Sequence, residues 1–369
     1  MTQVNYAARP TRYLASMLET SSIKPSCKKP FYPVQKPLRG YLKKWGRDIP
    51  LPVTYADMER ICYSTPLLDK NGVDTLWEEA HYDLRSWDEL QQDLIKLYAL
   101  LKTEGDFTFT KHLRVARIDY CPFGNSNPFR VRIVNRFNDN ADYFYIKKED
   151  ASRVYGLELE HILSPHRMKF LAGPGTMVEE HIAGIPGDLF VKDYFHNTST
   201  SNKIRLAKEL VKFNERCFVR LLGDMRSYNY VVDITPDIED FQYRLRPIDF
   251  DQQCYEGRAN LYRPQFFKEN LPYVELVQQY LNKDSIEQYR MEERTLMAFR
   301  LFSSRRRMLD LMNLMVREEL SKPEKIESLK AQLNSMHFTD RFSRCTTMGQ
   351  VLKQNLKQSL RKNIKLIMQ

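Results

Sequence analysis

Asp224, Arg226, Asn229 and Asp249 are the side chains of this 369-residue chain whose types and spacing could do chemistry together. Asp224 and Asn229 stand five apart in Gly223-Asp224-Met225-Arg226-Ser227-Tyr228-Asn229, and Asp249 follows twenty residues later in Ile248-Asp249-Phe250-Asp251. Between them YVVDI and YRLRPIDF flank the polar stretch TPDIEDFQ, which predicts a β-hairpin. A hairpin brings its two outer ends together, so Asn229 and Asp249 should be neighbours beside a loop carboxylate. Two converging oxygen ligands of this kind suit a hard cation such as Mg²⁺, which is held by one or two protein oxygens plus substrate phosphates.

The elements that must position these residues follow from periodicity. Ile204, Ala207, Leu210, Val211, Cys217, Phe218 and Leu221 recur at helical spacing, predicting a helix from 203 that stops at Gly223. Upstream, HLRVARIDY, FRVRIVNRF and DYFYIKK read as an antiparallel meander closed by CPFGNSNPF and NDNAD. The helical stretch EDASRVYGLELEHIL follows, then the extended runs MKFLAGPG and TMVEEHIAG, giving five strands with one helix inserted after the third. Leu90, Leu94, Leu97 and Leu101 predict an amphipathic helix over 85–103. The first 50 residues, with Pro25, Pro30, Pro33 and Pro37, read as an irregular arm whose aromatics dock it, and the chain after about 273 reads as helices.

This order of elements resembles the protein-kinase-like superfamily, whose catalytic loop reads H-R-D-x-x-x-x-N and whose metal motif reads D-F-G. It is most similar to the aminoglycoside-phosphotransferase-like branch, with H-G-D-x-x-x-x-N and I-D-F, and the resemblance covers about 112–275. It implies an α+β, two-lobed kinase-like fold: a five-stranded antiparallel N-lobe with one helix over 106–187, and a mainly helical C-lobe over 188–369. Within the C-lobe the catalytic loop and metal hairpin would occupy 203–275 and a basic helical extension about 276–369, while 1–105 would be the arm and amphipathic helix. The resemblance makes Asp224 the catalytic base, places Arg226 where a cation contacts the transferring phosphoryl group, and makes Asn229 and Asp249 the metal ligands. Lys147 would pair with nucleotide phosphates and with Glu158 of the following helix, Lys148 and Glu160 being the alternatives. The backbone of Glu180, His181 and Ile182 would hold the adenine. The implied cofactors are ATP and Mg²⁺, and the implied partners are a nucleotide and a hydroxyl-bearing acceptor. Leu222 stands where the branch has His, Asp251 replaces the glycine of D-F-G, and CPFGNSNPF offers only Gly124 as a phosphate-covering loop.

Composition bounds the alternatives. With 42% hydrophobic and 28% charged residues the chain is globular rather than disordered, and no apolar run approaches the roughly 18 residues of a bilayer-spanning helix. The expectation is a soluble cytoplasmic protein without membrane partners. Cys27, Cys62, Cys121, Cys217, Cys254 and Cys345 form no C-x-x-C spacing and read as reduced thiols. His161, His166 and His181 belong to no metal-ligand pattern, and Met308, Met312 and Met315 read as core packing. The net charge of +10 sits at the ends: ten Lys/Arg against two acids in 1–50, and fourteen against six in 303–369. That distribution leaves a second expectation, a kinase-like scaffold without turnover that binds through its basic ends. Nucleic acid is the less favoured partner, with Lys353, Lys357, Arg361, Lys362 and Lys365 at helical spacing.

Overall fold

The computed structural model describes residues 29–367 apart from Gly124 and Glu239, so the first part of the arm, Cys27 and Gly124 lie outside the described residues. Helix α1 (Lys36–Lys44) opens the compact unit that begins at Phe31. It forms inside the stretch expected to be irregular, because Pro37 sits in its first turn, where a missing N–H costs nothing, and Lys43 and Lys44 occupy its last turn. The single turn α2 (Tyr55–Met58) is closed by a reciprocal Thr54–Asp57 capping box.

Strands β1 (Tyr63–Leu68) and β2 (Asp74–His81) then make an antiparallel hairpin, with Gly72 at φ +77° and the Asp69 carboxylate accepting from the Asn71 and Val73 N–H groups. Helix α3 (Leu84–Thr103) is capped by Asp83 and buries Leu90, Leu94, Leu97 and Leu101, the stripe predicted for it. Strands β3 (Leu113–Tyr120), β4 (Phe129–Asn135) and β5 (Ala141–Lys148) form the meander. Helix α4 (Ala151–Leu163) follows, capped by Asp150, whose side chain accepts from the Ser152 and Arg153 N–H groups. Strands β6 (Phe170–Gly173) and β7 (Thr176–Glu180) complete a seven-stranded antiparallel sheet of order β1-β2-β3-β4-β5-β7-β6. The five predicted strands and inserted helix are present; the two extra strands come from within 1–105, where none was expected.

Two hydrophobic clusters organise the unit. One lies between the sheet and α3, joining Leu94 and Leu97 to Val115, Phe144 and Ile146. The other surrounds α4 and the helices beyond the sheet: α5 (Gly187–Asp193), α6 (Thr200–Arg220), α7 (Leu271–Tyr280), α8 (Lys283–Ser303), α9 (Arg305–Met315), α10 (Pro323–His337) and α11 (Met348–Ile367). Met308, Met312 and Met315 are buried in it. Strand β8 (Ile185–Pro186) pairs with β9 (Tyr230–Pro236), which pairs with β10 (Phe241–Pro247), in a separate three-stranded sheet. No described helix is long and apolar enough to cross a membrane.

Candidate functional site

Helix α6 ends at Arg220, and Leu221, not Gly223, takes the left-handed conformation, with φ +54°. Gly223 serves close packing instead: a Cβ there would lie 3.2 Å from the Gln252 carbonyl oxygen. Asp224 is also left-handed at φ +58°, a conformation that a non-glycine residue keeps only where its surroundings enforce it. Those surroundings are hydrogen bonds from the Gly223 N–H to Gln252 O (3.3 Å) and from the Asp224 N–H to Leu261 O (3.1 Å). The Asn229 Nδ2 donates to Asp224 O at 2.7 Å, and the Arg226 guanidinium donates to Asp224 Oδ1 (3.0 Å) and Glu269 Oε1 (2.7 Å).

The hairpin closes as its sequence requires. Tyr230 pairs with Pro247, and the Ile248 N–H donates to Asn229 O at 3.0 Å, so Asn229 and Asp249 stand side by side. Burial, then the negative charge of Asp249, pushes the Asp224 carboxyl up to about 6. Asp249 is itself raised, by burial and by Asp251, against the lowering effect of Arg153 and Lys147.

Opposite this loop stands a buried chain of charges. Lys147 Nζ donates to Glu179 Oε2 at 2.6 Å. Arg153, almost wholly buried, donates to Glu179 Oε1 (3.0 Å), Asp251 Oδ1 (2.8 Å) and Asp249 Oδ1 (2.7 Å). Burial alone would depress the guanidinium, but Asp251, Glu179 and Asp249 hold its pKa well above the ordinary value. The cations Lys147 and Arg153 thus face the three carboxylates of Glu179, Asp249 and Asp251, a net charge of minus one, while Asp224 beside them is paired with Arg226.

The expected Lys147–Glu158 pair is not formed. Glu158 is fully buried elsewhere, accepting from Tyr41 (2.5 Å), Arg47 (3.1 Å) and Arg307 (2.7 Å), and so ties α1 and α9 to α4. The alternative Glu160 pairs with Arg220, and the alternative Lys148 points to Glu59 at 3.0 Å. Alternation along β5 sends only one of the two lysines into the cleft, and that one is Lys147. Register explains its actual partner: Lys147 lies opposite Met177 and Tyr145 opposite Glu179, so Lys147 and Glu179 share a face of adjoining strands.

Lys147, Asn229 and Asp249 line one cleft of about 520 Å³, together with Glu180, His181, Ile182 and residues of the turn between β3 and β4 such as Phe123 and Ser126. Asp224 and Arg226 are not part of its lining and connect to it through the Asn229 amide. The Glu180 side chain accepts from the Lys169 N–H (2.5 Å), and the His181 ring packs on Tyr143 and meets the Tyr145 hydroxyl at 3.1 Å. Burial lowers the His181 imidazole, which keeps it neutral near pH 7. Sequence reasoning missed Glu179, Arg153 and the wall supplied by Trp77 of β2, whose ring carries the Arg130 guanidinium at 4.3 Å. The signal available for Arg153 was an arginine in the first turn of the helix that follows the lysine strand; none existed for Glu179 before the register was known.

Among the described residues, no three His, Cys, Asp or Glu side chains form a metal cage. The donor set that does exist is one amide and one carboxylate. The Asn229 nitrogen is spent on Asp224, and one Asp249 oxygen on Arg153, which leaves Asn229 Oδ1 and Asp249 Oδ2 as hard ligands. Two protein oxygens fit Mg²⁺, which keeps waters and substrate phosphates in its remaining positions. No protein-family model matches the chain, and no curated protein matches its sequence.

Proposed function

We propose that the chain is an ATP- and Mg²⁺-dependent phosphotransferase with a two-lobed kinase-like fold, the sheet with α3 and α4 forming one lobe and the helices with the β9–β10 hairpin the other. The observation that carries this reading is the meeting of Asn229 and Asp249 beside Asp224, facing Lys147 in one cleft. Asn229 and Asp249 would hold Mg²⁺, which supplies charge neutralisation on the phosphates. Lys147, tethered by Glu179, presents an ammonium to phosphate oxygens, and the backbone from Glu180 to Ile182 borders the base. Asp224 accepts or orients the proton of the acceptor hydroxyl. Arg226 holds Asp224 through Nε and bridges to Glu269 through Nη1, so Nη2 is the donor it would offer a phosphoryl oxygen. No A-P-E-like segment follows Asp251, which favours a small-molecule acceptor. In an assay of Mg·ATP turnover, Asp249→Ala should abolish activity with its circular dichroism unchanged; turnover at the wild-type rate refutes the assignment.

A second reading, a scaffold acting through its basic end, is favoured by a separate cavity of about 620 Å³ lined by Arg341, Arg344, Lys353 and Lys357. Under that reading the wild type shows no Mg·ATP turnover, and Lys353→Glu with Lys357→Glu should remove its salt-sensitive retention on nucleic acid.

A further inference from the structure

In the family the chain resembles, the helix after the lysine strand delivers a carboxylate to the lysine. Here α4 delivers a guanidinium, and the carboxylate, Glu179, comes from the neighbouring strand β7. The polarity of the charge pair is reversed, and the reversal links α4 directly to the loop carrying Asp249. We infer that Arg153 is a positioning residue that fixes Asp249 for a divalent cation, a role that rests on the phosphotransferase reading.

Three observations carry it. Arg153 reaches Asp249 Oδ1 at 2.7 Å, and the Asp251 N–H reaches the same oxygen at 3.2 Å. Both donors consume one oxygen, and the Asp249 side chain, 31% exposed against 2% for Arg153, turns the rest of its carboxylate to the cleft. The guanidinium is also fully committed: Nε to Asp251, Nη1 to Glu179, Nη2 to Asp249. Its planar fork therefore sets the angle of each carboxylate rather than roaming between them.

A cation so close to a metal ligand could instead repel the metal, and charge decides against this. Arg153 contacts three carboxylates, so the group it organises stays negative, and with Lys147 included the five side chains still sum to minus one. Without Arg153 those carboxylates would be left buried and mutually repelling, and Asp249 would lose its fixed rotamer. Orientation outweighs repulsion.

The test is Mn²⁺ binding without nucleotide, followed by calorimetry and paramagnetic resonance, with metal-free ATP binding measured beside it. Arg153→Gln should weaken Mn²⁺ at least about tenfold, in the range typical of groups that orient a metal ligand. Arg153→Lys should recover part of that loss, and metal-free ATP affinity should stay within about threefold because Lys147 is untouched. Arg153→Gln combined with Asp251→Asn removes one charge of each sign and keeps the buried balance, so it reads the same loss if the single variant does not fold. Mn²⁺ affinity equal to or tighter than wild type in either folded variant overturns the role of Arg153 while leaving the metal site in place. Absence of Mn²⁺ binding by the wild type itself overturns both this role and the phosphotransferase reading.

Discussion

Asp224 is the residue at which conformation, charge and proposed chemistry coincide. It is held left-handed, gripped by Arg226 and Asn229, and its carboxyl is raised from 3.8 to about 6 by burial and by Asp249. An acid raised in the folded state binds its proton more tightly there than in the unfolded chain. Its stabilising contribution is therefore complete below about pH 3.8 and lost as pH rises through about 6. Asp224→Asn cannot ionise, so without metal it should unfold at higher denaturant than wild type at pH 8, by on the order of 2 kcal/mol. The two proteins should converge near pH 4, and saturating Mg²⁺ should narrow the difference at pH 8. Urea titrations at pH 4, 6 and 8 measure this directly; equal midpoints at pH 8 would show that Asp224 carries no such strain.

Helix α4 joins the sheet to the loop that carries Asp249, and one glycine sets how closely. A Cβ added at Gly156 would lie 2.9 Å from Phe250 Cβ and 3.3 Å from Gln253 Cβ, atoms that move only with their backbone. Alanine would gain about 1 kcal/mol of helix propensity over glycine. Overpacking at such a contact costs typically 1–3 kcal/mol, so Gly156→Ala should be destabilising on balance. It should also weaken Mn²⁺, because pushing 250–253 outward carries Asp249 with it; calorimetry beside a melting curve separates the two effects. The strands from 113 to 148 were legible in sequence because each buries alternate residues. The β1–β2 hairpin was not, since an edge strand such as β1 is exposed on both faces and shows no alternation. Its one readable mark was Asn71-Gly72, a common hairpin turn. The meeting of Asn229 and Asp249 was legible because hairpin geometry is local. The partner of Lys147 was not, because it depends on which strand lies alongside β5.

Across the whole molecule, Glu158 binds together parts of the chain that are far apart in sequence. Tyr41 and Arg47 come from near its start, Arg307 from near its end, and all converge on this one buried carboxylate. Glu158→Ala would leave two arginines partly buried without an acid, a loss of the order of 3–5 kcal/mol. Its thermal midpoint should fall sharply while nucleotide affinity of the folded fraction stays within about threefold. A selective loss of nucleotide binding without loss of stability would return Glu158 to the cleft.

The hairpin at 63–81 also decides where the chain can be cut. A shortened protein starting at residue 106 would keep the loop, the hairpin of β9 and β10 and every side chain proposed for the reaction. It would strip β2 from β3 and lift α3 off Val115, Phe144 and Ile146, leaving a raw sheet edge beside a bare apolar surface. Such a fragment should precipitate on expression, and the smallest soluble piece should begin ahead of Tyr63.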